Sequence, residues 1–424
     1  MKSVPTEIIK IIKKRFEDYD DFVPGKTKIR LVEPSFGADE VIESLDSLLT
    51  TKVTMGEKVK KFEQLFSKYL HVNFSAMVNS GSSANLVALS ALTNPTYSKR
   101  LPKNSEVITP AVTWVTTVYP LTNLNLKPKF VDISLENFCI DPDKLEEAVT
   151  KNTSLLLPVH LLGNVCDMGR ITEIARKKNL HVMEDCCEAH GAEFKGKKVG
   201  TFGDIGTFSF FLSHHITTIE GGMTVTNNKE IYELTKALRA FGWIRDLRNK
   251  TALSKKYPSI DPMYLFVNLG YNLRPTEIQG AFGIHQISKL DKFIKIRKEN
   301  AKYWTKRFAT YEDYFILTKD DPRTHQVCFC YPMTIRNDAP FNREMLVKYL
   351  KKHNIETRPI MSGNLLEQPS IKYIPHYARG TLNNSKIAMR NSFFFGNHHR
   401  MGRDQREYIV DTIAQFIERK LWKR

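Results

Sequence analysis

The chain has 424 residues, 42% apolar and 26% charged, which are ordinary globular proportions and exclude collagen-like, disordered and disulfide-scaffold classes. At this length a large domain with an appended smaller one is expected, and the longest apolar runs, such as Ser154 to Gly163, fall short of the roughly 20 residues of a bilayer span. The net charge of +17 raises the question of nucleic acid, but the basic residues are spread along the chain and no basic block alternates with aromatics, so the excess is assigned to solvated surface or to anionic small substrates.

The opening segment MKSVPTEIIKIIKKRFEDYDDF reads as an amphipathic charged helix rather than a secretory signal, so a soluble cytoplasmic protein is expected, neither exported nor membrane-bound. From Lys58 to Val225 helical patterns alternate with short β-branched runs (VNFSAMVN, SEVITP, PKFVDI, SLLLPVHL, HVMEDC, IGTFSFF), the rhythm of strand–helix units around a mostly parallel sheet. In such sheets the loops at the carboxyl ends of the strands build the site. A charged helical pattern from Glu277 to Tyr311 reads as one bridge between domains, and CFCYPMTI, NIETRPI and an amphipathic tail from Asp404 to Leu421 suggest a small α+β domain. The expected division is an N-terminal helical segment over 1–30, a large cofactor-binding domain over 31–290, and a bridging helix with a small C-terminal domain over 291–424. Six cysteines, Cys139, Cys166, Cys186, Cys187, Cys328 and Cys330, match neither a zinc spacing nor a secreted framework and read as reduced thiols.

Four features at strand ends carry the chemistry. Asn79-Ser80-Gly81-Ser82-Ser83-Ala84-Asn85 opens a helix after an apolar strand, offering backbone N–H groups and a helix dipole to a phosphate; a plain N-cap is the alternative. Trp114 follows the next strand, where an indole can stack on a planar ring or serve as a core aromatic. Asp185, in Glu184-Asp185-Cys186-Cys187-Glu188, is costly to bury without a cationic partner, for which a protonated pyridine nitrogen qualifies, while helix capping is the other reading. Finally, Gly206 to Gly222 holds His214 and His215 beside a hydroxyl-rich, glycine-closed turn; imidazole moves protons near neutral pH, and a metal pair lacks a third ligand at a useful spacing.

Together these features resemble the DegT/DnrJ/EryC1/StrS sugar aminotransferase family of fold-type I pyridoxal phosphate enzymes. The most telling segments are EDCCEAHGAEFKGKKVGTFGDIGTFSF and GYNLRPTEIQGAFG. The resemblance implies an aspartate aminotransferase-like α/β fold with a smaller α+β domain. It implies that Asp185 pairs with the pyridine nitrogen, Glu188 lies beside the ring and Trp114 stacks on it. Gly81, Ser82, Ser83 and Ser209 would hold the phosphate, with Asn272 arriving from a partner subunit of a homodimer.

Where the family usually carries a lysine, this chain has His214, and the following turn reads Ile219-Glu220-Gly221-Gly222 instead of Gly-Glu-Gly-Gly; no lysine lies between Lys198 and Lys229. Without an amine there the cofactor is held non-covalently, and the residue can only move protons. That pattern resembles the 3-dehydratase branch of the family, which removes the C3 hydroxyl of nucleotide-linked 4-keto-6-deoxy sugars. One subgroup acts on a CDP-sugar through an iron–sulfur cluster, which is not expected here because no cysteine lies between Cys187 and Cys328. FGWIRDLRNK and RPIMSGNLLEQPSIKY resemble the other subgroup, which acts on a GDP-sugar with pyridoxamine phosphate and glutamate alone. His215 and Arg358 are secondary substrate candidates, with turn orientation and an ion pair as their alternatives. An ordinary sugar aminotransferase and a non-catalytic cofactor-binding regulator on the same fold remain the rival readings.

Overall fold

The structure is a computed structural model that describes residues 3–17 and 21–421. Within the expected N-terminal helical segment the helix covers Thr6–Arg15, while Met1, Lys2 and residues 18–20 lie outside the described residues, as do 422–424 at the end of the small domain.

Strands β1 (Phe74–Val78), β2 (Glu106–Pro110), β3 (Lys127–Val131), β4 (Thr153–Leu156), β5 (His181–Asp185), β6 (Ile205–Ser209), β7 (Gly222–Thr226) and β8 (Tyr377–Ala378) form one sheet in the order β1-β7-β6-β5-β4-β2-β3-β8. Only β7 runs against its neighbours; β6 through β8 are parallel. The strands read as continuous apolar runs because helices cover both faces. Alternation along each strand then sends successive side chains to opposite layers. Val107, Leu155 and Met183 join one buried cluster, and their neighbours Ile108, Leu156 and Val182 join the other.

A second sheet, Phe315–Ile316, Cys330–Ile335, Ser392–Gly396 and Thr357–Pro359 in that order, is antiparallel throughout. Its core gathers Trp304, Tyr331, Phe393 and Phe395, and Ile29 from the N-terminal side joins it, with its N–H donating to Asn354 O. The helix Leu290–Phe308 buries Phe293 and Ile294 in the large core and Trp304 and Phe308 in the small one, so a single rigid element spans both.

The Glu277 to Tyr311 stretch, expected as one helix, divides at a tight turn over Ile287–Lys289 between Glu277–Gln286 and Leu290–Phe308. At that junction the buried Gln286 amide is fully engaged: it donates to Ser35 O and Glu40 Oε1 and accepts from Ser35 Oγ and Thr217 N. Among the described residues no helix is long and apolar enough to cross a membrane.

Candidate active site

The phosphate side begins where β1 ends. Ser80 caps the helix Gly81–Leu92, its Oγ accepting from Ser83 N at 3.1 Å, and the amides of Gly81 and Ser82 stand at the open helix end without partners among the described residues. Ser82 Oγ donates to Thr116 Oγ1 at 3.0 Å. A Cβ at position 81 would run into the Ser209 side chain, with Oγ at 2.7 Å, so only glycine lets the end of β6 close on this helix. Free amides, a hydroxyl and a positive helix end gathered in one cradle fit a phosphate. The structure thus brings Gly81, Ser82, Ser83 and Ser209 together from strands separated by β7.

Asp185 ends β5 and is 4% exposed. Its Oδ2 accepts from Asn85 Nδ2 at 2.9 Å and Thr117 Oγ1 at 2.8 Å, and its Oδ1 from Cys187 N at 3.1 Å. Asn85 in turn accepts from Thr207 Oγ1 at 2.6 Å. A buried carboxylate held by neutral donors, with no ion-pair partner among the described residues, is the donor set a protonated pyridine nitrogen completes. Asn85, Thr117 and Thr207 were not singled out from sequence. The available signal was spacing, since Asn85 lies four residues after Gly81 and Thr117 three after Trp114, on the same helix faces.

Glu188 Oε2 accepts from Leu162 N at 2.7 Å, holding a non-glycine residue at φ 59°. Burial, with Asp185 nearby, pushes its carboxyl up to about 8. Trp114 precedes the helix Val115–Asn123 and is 54% exposed, leaving its ring free for a planar group.

His214 lies between β6 and β7 in a heavily bonded turn. Phe210 N donates to Gly221 O and Thr218 N to Phe210 O; Thr217 Oγ1 donates to Phe210 O and accepts from Ile219 N. The His214 ring is half-buried, 5.4 Å from Phe329 and 5.9 Å from His190, and its Nδ1 has no partner among the described residues. Burial, assisted by the Arg297 cation, lowers its pKa to about 3, so the imidazole is neutral at physiological pH.

His215 does not join the site. It is fully buried, and its Nε2–H donates to Val327 O at 3.0 Å, which makes it an orienting group of the turn and corrects its placement among substrate contacts. Arg358 is exposed on the small sheet, paired in register with Phe394. Asn272 is exposed, accepts from Arg274 Nε at 3.1 Å, and lines a cleft of about 900 Å³ with Arg245, Arg248 and Arg274, a cleft lined by none of the residues above.

Among the described residues one group has metal-ligating types close together, namely His160, Glu184 and Cys186. Its polar atoms are already engaged: Glu184 accepts from Gly200, Phe202 and Gly203 amides and faces His160 Nε2, whose Nδ1 accepts from Cys166 N. Cys186, Cys187, Cys328 and Cys330 do not converge into such a group.

The profile of the DegT/DnrJ/EryC1/StrS aminotransferase family matches residues 35–414. A GDP-4-keto-6-deoxy-D-mannose 3-dehydratase of Escherichia coli O55:H7 is 39% identical over 375 residues, 88% of this chain and 96% of that protein. The lipopolysaccharide biosynthesis protein RfbH of Salmonella typhimurium is 33% identical over 409 residues, 93% of each chain. Among solved structures, GDP-4-keto-6-deoxymannose-3-dehydratase with a trapped PLP-glutamate geminal diamine is 36% identical, with TM-score 0.86 over 91% of this chain and all 100% of that one. A histidine-to-asparagine variant of such an enzyme with bound GDP-perosamine is 37% identical, with TM-score 0.85 over 91% and 100%.

Proposed function

Because this chain belongs to the DegT/DnrJ/EryC1/StrS aminotransferase family, we propose that it is a pyridoxamine phosphate-dependent 3-dehydratase that removes the C3 hydroxyl from GDP-4-keto-6-deoxymannose, with L-glutamate as amino donor, to make a 4-keto-3,6-dideoxy sugar for a surface polysaccharide. The observation that carries the reading is His214: a half-buried imidazole in the turn between β6 and β7, in a stretch that contains no lysine.

Bound there, pyridoxamine phosphate supplies the amine that joins the sugar's C4 ketone and the electron pair that the deoxygenation consumes. The amides of Gly81 and Ser82, with the hydroxyls of Ser83 and Ser209, would hold its phosphate, and Trp114 would cover one face of the ring. Asp185 holds a proton on the pyridine nitrogen, its own orientation set by Asn85 and Thr117. Glu188 keeps its proton near neutral pH and lies beside the ring without adding a negative charge.

His214 acts at Nε2, because its Nδ1 is enclosed. The neutral ring takes a proton from the carbon bearing the amine and returns it to the departing C3 hydroxyl, which leaves as water. Glutamate would supply the amine for each turnover, and ammonia would be the nitrogen product. No external reductase enters the cycle.

Two copies form the working unit, with Asn272 of each serving the other's phosphate site. Exposed apolar residues support this: Trp114, Phe211, Leu212 and Ile219 around the site, and Tyr264, Phe266 and Leu269, the last 96% exposed, before the Asn272 segment. A cytoplasmic location agrees with a nucleotide-sugar substrate.

The test is mass spectrometry of the sugar after incubation with pyridoxal phosphate, glutamate and GDP-4-keto-6-deoxymannose, beside a His214→Asn variant. Loss of oxygen without gain of nitrogen, absent in the variant, supports dehydration. An amino sugar moves the protein to the transaminase branch.

A further inference from the structure

Arg297, on the helix Leu290–Phe308, is 3% exposed and makes no ion pair with a carboxylate among the described residues. Its Nη1 donates to Phe329 O at 2.7 Å and to Asn397 O, and its Nε has no partner. A guanidinium walled in without a counter-ion is expensive and needs a reason.

The surroundings supply one. Asn397 Nδ2 donates to the carbonyls of Arg297 and Cys328, each at 3.0 Å, and Asn300 Nδ2 donates to Asn397 Oδ1 at 3.0 Å. These bonds fix the strap Val327–Phe329, whose Val327 carbonyl receives His215 and whose Phe329 ring packs 5.4 Å from the His214 ring and 5.9 Å from that of His215. The strap is held from its other side by Val327 N to Gly163 O and Phe329 N to Leu162 O. Leu162 is the residue whose amide Glu188 holds, so one network reaches both flanks of the site.

We propose that Arg297 is a positioning residue for His214: through Phe329 it fixes the surface on which the ring rests, and its unpaired cation, held on the carbonyl of that same residue, acts on an imidazole that must accept a proton as a base. The other groups turned toward His214 do not oppose that charge. His190, from the segment after β5, and His215, from the same turn, are imidazoles that burial keeps neutral, and Glu188, two residues before His190, retains its proton near neutrality. His398 and His399, which follow the Asn397 whose carbonyl Arg297 holds, are lowered to about 3 by burial and then by Arg297 itself, and the Cys328 and Cys330 thiols are pushed up by burial. The cation is therefore the one fixed charge His214 meets among these groups.

The inference rests on His214 being the proton-transfer residue, and its test reads the ring directly. The protein is labelled with 15N-histidine, the His214 signals are assigned by their loss in His214→Asn, and the ring is titrated without substrate in the parent, in Arg297→Gln, which keeps hydrogen-bond donors but no charge, and in Arg297→Lys, which keeps the charge. The expected result is a neutral His214 at pH 5.5 in the parent and the lysine variant, with at least a tenfold larger protonated-to-neutral ratio in the glutamine variant. A folded glutamine variant whose His214 titrates like the parent's overturns the proposal. If that variant does not fold, Arg297→Met, which removes the charge with a side chain of similar length, is read in its place by the same criterion. A shifted titration in an enzyme that turns out to transaminate leaves this inference standing while the dehydratase reading fails.

Discussion

Asn85 donates its amide to Asp185 Oδ2 at 2.9 Å while its carbonyl accepts the Thr207 hydroxyl at 2.6 Å, so a residue early in the helix Gly81–Leu92 sets the carboxylate at the end of β5. The amide group fixes the direction of both bonds. Replacing it by a carboxylate sets two like charges at hydrogen-bond distance, which drives one of them to take up a proton. Asn85→Asp is therefore expected to weaken pyridoxal phosphate binding at least about tenfold, the equivalent of about 1.4 kcal/mol, by equilibrium dialysis. Unchanged affinity would mean that Asp185 does not face the ring nitrogen.

Gly81→Ala should disrupt the cradle from the other end. The added methyl meets Ser209 Oγ at 2.7 Å, and overpacking of this kind costs about 1–3 kcal/mol. Urea denaturation of the cofactor-free protein should show the loss, and pyridoxal phosphate should no longer raise the unfolding midpoint.

Glu184 is a structural group although it adjoins Asp185. It collects the amides of Gly200, Phe202 and Gly203, and Glu184→Gln places an NH2 where an acceptor is needed. A loss of about 2–4 kcal/mol is expected from broken charge-assisted bonds in the interior, read as a lowered thermal midpoint.

Glu188 gives the cofactor-free protein a pH-dependent stability with a definite sign. Its folded value is about 8 against an ordinary 4.5, so between those values the folded state holds a proton that the unfolded chain releases. Its contribution is fully present below 4.5 and is lost as pH rises toward 8. Glu188→Gln should flatten the urea midpoint across that window relative to the parent. Parallel curves for the two proteins would show that Glu188 is already ionised.

Ile219 occupies φ 70°, a left-handed conformation unfavourable for a β-branched residue, and it is 47% exposed. Ile219→Gly relieves that strain, and a gain of about 1 kcal/mol in unfolding free energy of the isolated subunit is expected. A loss instead would show that the left-handed conformation at Ile219 stores no strain that glycine can relieve.

Much of the site could be read along the chain because its parts are local. The Ser80–Ser83 turn follows β1, Asp185 is the last residue of β5 and His214 lies in the turn after β6, and strand ends are where such folds place chemistry. Supporting groups were not legible in the same way. Asn85 and Asp185 are 100 positions apart, Thr217 and Gln286 69, and Arg297 and Asn397 100, and a lone Asn, Gln or Arg inside a helical pattern carries no mark of its partner. His215 illustrates the limit within two adjacent residues: one imidazole is half-open to the site and the next is sealed against Val327 O.

By itself, then, the chain's sequence determined the strand–helix alternation, the glycine and hydroxyl cradle, and the replacement of an amine by an imidazole, because periodicity, small-residue turns and side-chain chemistry are properties of short segments. Only the tertiary structure decided which side chains orient Asp185, which of two adjacent histidines is sealed and which is half-open, and that a buried arginine lies behind the strap on which His214 rests. Those depend on burial and on the charges of neighbours brought in from distant elements, and both exist only once the two layers and the small domain have closed around the site.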